Sequence, residues 1–141
     1  MCAIQVKNGE RGASVVEFGI VLPILLVLLF GVIEFGFLFY DKAMLTNAAR
    51  EGARAGIVSR SPRLTEGEIC TIVEDYCENM LISFDDSVDL NIEAPTPASP
   101  LFGDDLTVEV NYPYTFLLIP SFVPFVDQPI NLSARVIMKY E

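Results

Sequence analysis

Histidine and tryptophan are absent from the 141 residues, and basic side chains are scarce: 9 Lys and Arg face 19 Asp and Glu, a formal net charge of -10. Without histidine the chain has no imidazole general base, no Ser-His-Asp or Cys-His catalysis and no zinc site that needs a ring nitrogen. Without a basic block it is poorly suited to nucleic acid, whose binding rests on Lys and Arg at phosphates. Neither an enzyme nor a nucleic-acid binder is expected, and neither a cofactor nor a metal. The acidic clusters Asp85-Asp86-Asp89 and Asp104-Asp105 lack the glycine turn and distant glutamate of an EF-hand loop, and read as solvated turns. What the chain has in excess is apolar residues, 52% of the total. That excess and a high net charge do not mix evenly in one soluble domain of this length, so segregation into an apolar segment and an acidic one is expected.

The apolar segment is plain. Phe18 to Ile33 carries no charge, and after Glu34 the run resumes as Phe35-Gly36-Phe37-Leu38-Phe39-Tyr40. A core helix would keep a polar face and a secretory signal would end at an Ala-x-Ala-like site; this run has neither, and reads as a membrane-spanning helix. Helix-compatible sequence continues without proline to Ile57, and Pro23 lies within the span, where a membrane helix tolerates it. A helix over 13–57 would be about 68 Å long, of which roughly 30 Å fills a bilayer core and a comparable length projects beyond it. With Ala13 at one interface, Glu34 emerges at the other as an interfacial boundary or a second pairing group. Phe35, Phe37, Phe39 and Tyr40 follow it as an interfacial aromatic cluster. Glu17 would sit about 6 Å into the apolar layer, where either headgroups solvate it or a cation must pair with it.

Ahead of the span, Met1–Gly12 is a short polar peptide. Arg11-Gly12 followed by Ala13-Ser14-Val15-Val16-Glu17-Phe18 resembles a type IV prepilin processing site, at which a membrane peptidase cuts after the glycine and leaves a glutamate fifth in the mature chain. With Leu22-Pro23, Gly31-Val32-Ile33-Glu34-Phe35-Gly36 and Asn47-Ala48-Ala49-Arg50-Glu51-Gly52-Ala53-Arg54, the ordered blocks over residues 11–57 resemble the TadE-like family of tight-adherence (Tad, or Flp) pilus assembly proteins. The resemblance implies a minor pilin or pseudopilin cut between Gly12 and Ala13 by a prepilin peptidase. Its other implied partners are further pilins, Tad membrane assembly components and the lipid bilayer. The freed Ala13 amine of one subunit would pair with Glu17 of a neighbour in low dielectric. Placement in the inner membrane with the C-terminal head outside follows from the same resemblance, with incorporation into the pilus left open. Positive-inside counting points the other way, because only Lys7 and Arg11 precede the span while Lys42, Arg50, Arg54, Arg60 and Arg63 follow it. The processing site outweighs that statistical rule.

Gly31 and Gly36 within the span, and Ala48, Gly52 and Gly56 beyond it, are small residues suited to close helix packing. The second set, spaced i, i+4, i+8 with Ala49 and Ala53 alongside, either meets other pilins or seats the helix on its own head.

Residues 58–141 are expected to form that head, an α+β unit after the leader (1–12) and the long helix (13–57). Thr65-Glu66-Gly67-Glu68 reads as a capping box opening an amphipathic helix of about sixteen residues. Period-two alternation then marks three strands, around Val88-Leu90-Ile92, Leu106-Val108-Val110-Tyr112 and Ile130-Leu132-Ala134-Val136-Met138. Ala94 to Pro100 is a stiff extended loop, and Gly103-Asp104-Asp105 turns into the second strand. Pro113, Pro120, Pro124 and Pro129 punctuate an apolar stretch from Tyr112 to Val126 that either joins the core or meets a partner or the membrane surface. Cys70 and Cys77 form a disulfide only if their helix breaks, because seven helical residues hold them about 10.5 Å apart; otherwise they are buried thiols. A single-pass membrane-anchored binding module unrelated to pili, and a membrane-anchored hydrolase using two head carboxylates, are the competing readings.

Overall fold

The computed structural model describes residues 8–82, 89–97, 100–116 and 129–140, with side chains from Gly12 onward. Its elements are α1 (Asn8–Ile57), α2 (Glu66–Met80), β1 (Asn91–Glu93), β2 (Asp105–Tyr114) and β3 (Ile130–Lys139). This is the expected α+β arrangement: a long N-terminal helix, a second helix and a three-stranded antiparallel sheet of order β1-β2-β3.

α1 runs unbroken through Pro23 and begins at Asn8, five residues before the expected start at Ala13. The Gly12–Ala13 junction therefore lies in helical backbone. No proline stands between Asn8 and Gly12, and extending an established helix readily absorbs the ~1 kcal/mol penalty of one glycine.

The capping box forms as read. Glu68 N–H donates to the Thr65 hydroxyl, and the Glu68 carboxylate accepts from Thr65 N–H at 2.8 Å. Those bonds hold the Glu68 carboxyl below its ordinary range. α2 buries Ile69, Val73 and Cys77, one residue per turn on a single stripe. The Cys70–Cys77 disulfide is not formed: both are free thiols, and the unbroken helix keeps them two turns apart.

In β2 the alternation is clean, with Leu106, Val108, Val110, Tyr112 and Tyr114 all facing inward. β2 extends two residues past Tyr112, so Pro113 lies within the strand rather than interrupting it. β1 pairs only with Glu109–Asn111, so among the described residues the strand has a neighbour on one side alone at Pro113 and can accommodate a residue without N–H. β1 is shorter than expected, and Val88 lies outside the described residues, as do Asp85, Asp86, Pro120, Pro124 and the apolar residues 117–126. β3 pairs with β2 along its whole length, Val110 opposite Ala134 and Tyr114 opposite Ile130. Leu132 and Ala134 are buried, whereas Ile130, expected on the same inward face, is partly exposed at the strand's start.

The turn into β2 is built as the sequence implies. Gly103 takes φ +89°, Asp104 N–H bonds Leu101 C=O, and the Asp104 carboxylate accepts from Leu101 N–H at 2.8 Å. The Asp105 carboxylate accepts from Lys139 Nζ across the β2–β3 pair. Both acids thus serve the turn and the ladder.

Candidate functional site

α1 is one helix with two environments, and the chemistry of the chain is organised by where they meet. From Gly12 to Phe30 nearly every side chain is exposed, including Val15, Phe18, Ile20, Ile24, Leu25, Val27 and Leu28. Apolar residues exposed around the whole circumference of a helix need a lipid or protein environment to cover them. It is the one described helix long and apolar enough to cross a membrane, and none of its most apolar window is buried. The structure therefore carries a single candidate anchor.

Within that stretch Gly12, Ala13 and Glu17 are exposed, and a methyl group added at Gly12 would meet nothing within 4 Å. In the single chain nothing brings a cation of the described residues to Glu17; Ala13 and Glu17 lie on one helix face, i and i+4, open to a neighbouring molecule. A Cβ added at Gly31 or Gly36 would likewise meet nothing within 4 Å among the described residues.

From Glu34 the face toward the head is a regular stripe. Glu34, Leu38, Asp41, Leu45, Ala48 and Gly52 alternate steps of four and three and lie on one side of α1. Every member is buried except Leu38, which is half-buried against the core. The small residues here seat the helix on its own head. A Cβ on Gly52 would stand 2.4 Å from Val73 Cγ2, and one on Gly56 2.5 Å from Leu106 Cδ2 and 2.8 Å from Ile69 Cδ1. Ala48, Ala49 and Ala53 are fully buried in the same contact. Of the two uses open to Ala48, Gly52 and Gly56, the structure employs the intramolecular one.

Glu34, where the exposed stretch ends, is not itself exposed. It is fully buried, and Tyr114, at the end of β2, donates its hydroxyl hydrogen to Glu34 Oε1 at 2.7 Å. Burial, followed by that hydrogen bond, pushes the Tyr114 hydroxyl well above the usual phenol range, so it is a fixed donor. Tyr112 and Phe116 pack edge-on to the Tyr114 ring, with centroids 6.4 and 5.8 Å away. One turn pair further along, buried Asp41 accepts from Ile82 N–H at 3.0 Å through Oδ1, satisfying the chain where α2 has ended. Its Oδ2 has no hydrogen-bond partner among the described residues. Beside them Lys42 Nζ donates to Ser133 C=O in β3. Three consecutive polar contacts thus bind α1 to β2, to the chain after α2, and to β3.

Tyr114 and the role of Asp41 escape a reading by composition. The signal for Asp41 is its place in the four-three spacing that begins at Glu34; the signal for Tyr114 is its parity with Tyr112, hidden by the proline between them. The head's closest approach at Glu34 also fixes the length left for a bilayer: residues 13–33 span roughly 30 Å, one hydrocarbon core. Comparison with curated proteins and with solved structures finds no match. The family model described as TadE-like protein matches residues 12–54, from the glycine of the junction into the last turns of the seat, so that this part of the long helix is similar to that family.

Proposed function

We propose that this chain is a pseudopilin of a Tad (Flp) pilus, a non-enzymatic component that works by being cut, anchored and packed. The observation that carries the reading is the exposed apolar helix with Gly12–Ala13 and Glu17 at its start, within the segment that matches the TadE-like family. A prepilin peptidase would cleave after Gly12, and the released Ala13 amine would meet Glu17 of an adjacent pilin within the low dielectric of the membrane. The cut requires local unwinding of α1 at the junction, and Gly12 is the residue there that favours helix least. The head, held outside the inner membrane, is kept soluble by its acid. Lipid, other pilins and the Tad membrane machinery are the partners that such an anchor would need.

The test is the intact mass of the protein extracted from membranes of cells with an active Tad system. A mature chain beginning at Ala13 supports the reading, and retention of residues 1–12 sinks it. In the same cells Glu17→Ala should be cleaved normally yet fail to support pilus assembly.

A further inference from the structure

At the end of the head away from the membrane helix, the segment joining α1 to α2 meets the loop after β1 and the end of β3 around a cavity of about 290 Å³. Arg63, Thr65, Thr96, Pro97, Pro100 and Tyr140 line it, together with Leu64. Arg63 lies over the Tyr140 ring, 5.1 Å from its centroid, a stacking that fixes the guanidinium plane. Its Nη1 is shielded from solvent and has no hydrogen-bond partner among the described residues. A guanidinium nitrogen only donates, and a buried donor without an acceptor is rare enough in native structures to call for one.

Two described acids near the lining residues are committed elsewhere. Glu68 is held by Thr65 at the start of α2, and the Asp104 carboxylate by Leu101 N–H. Arg63 makes no ion pair with either. The remaining walls are apolar, from Leu64, the two prolines and the ring of Tyr140, with the Thr96 hydroxyl as a further polar group.

We propose that this cavity binds a carboxylate carried on an apolar stem. Arg63 supplies the charge-assisted donor, Thr96 a hydroxyl, and Leu64, Pro97 and Pro100 the surface against which the stem lies. The shared chemistry belongs both to small apolar acids and to the C-terminus of a polypeptide that ends in an aliphatic residue. The pseudopilin reading is not needed for it, because the site lies wholly within the head.

The experiment uses the full chain in nanodiscs, followed by amide NMR at Leu64, Thr65, Thr96 and Tyr140. The probes are N-acetyl-leucine, its uncharged amide, and a pentapeptide ending in leucine with a free carboxylate. The acid should give saturable shifts at these residues and the amide none. Arg63→Gln should weaken acid binding about tenfold or more, as loss of a charged hydrogen bond implies. Arg63→Lys should retain part of the affinity, and Thr96→Val should lower it about threefold. Binding of the peptide at least about tenfold tighter than the acid assigns the site to a polypeptide terminus; equal binding assigns it to small acids. Equal shifts with acid and amide, or none with any probe, overturn the proposal and leave Nη1 merely hydrated. The acid–amide comparison on the unaltered protein decides this even if Arg63→Gln fails to fold.

Discussion

The two halves of α1 are continuous in backbone and opposite in design. Residues 13–33 present bulky apolar side chains all round, and none of them is buried. Residues 34–57 present one stripe of acids, leucines, alanines and glycines, and bury it against α2 and the sheet. The first half is greasy in every direction because its surroundings are to be supplied from outside. The second half is selective in one direction because its partner is already present. Glycine makes the contrast sharpest: Gly31, in the first half, meets nothing among the described residues, whereas Gly52 and Gly56 allow helix and head to approach at distances that no Cβ permits.

The largest expected effect breaks that contrast at its clearest point. Gly52→Leu must push into Val73, whose branched side chain has little freedom to turn away, and should destabilise the head by about 3 kcal/mol. Gly31→Leu, in the span, should shift head stability by less than ~0.5 kcal/mol. Thermal unfolding of the two variants in the same detergent, followed by circular dichroism, makes the comparison; equal losses would erase the distinction between seat and span.

Next is the polar lock at the boundary. Tyr114→Phe and Glu34→Leu should each lower stability by about 1–3 kcal/mol. In a double-mutant cycle the pair should lose less than the sum of the singles, since both changes remove one hydrogen bond. Strict additivity would show that the two groups do not act together.

Much of this was legible in the sequence and some was not. The span, the capping box, the inward residues of β2 and the small stripe are local or periodic patterns, and each maps onto a single element. Glu34 was visible as an acid at the edge of an apolar run, but its partner lies 80 residues away at the end of a strand. No local rule pairs the two. Pro113 hid that partner, because proline breaks a central strand but not one that is unpaired on one side. The small stripe was compatible with two seats, and only the packing of Val73, Ile69 and Leu106 chooses between them.

A smaller effect sharpens the picture of the seat's far side. Cys77, inside the core that α1 closes, has its thiol pushed up to about 11 by burial, whereas Cys70 is raised but only partly buried. At pH 8 roughly one Cys77 in a thousand is the reactive thiolate, and access further slows it. Maleimide should modify Cys70 in the native protein and reach Cys77 only at the rate of unfolding. Rapid native labelling of Cys77 would mean that α2 leaves the seat readily.

The division of α1 is tested most directly by paramagnetic broadening of its backbone amides in nanodiscs, with a nitroxide on the lipid tails and, separately, a water-soluble gadolinium chelate. The lipid probe should broaden residues 15–33 and stop at Glu34, while the soluble probe should act on Arg50, Glu51 and Arg54. Lipid broadening that continues through Ala48 to Gly56 would contradict the account, because the seat would then lie in the membrane rather than on the head.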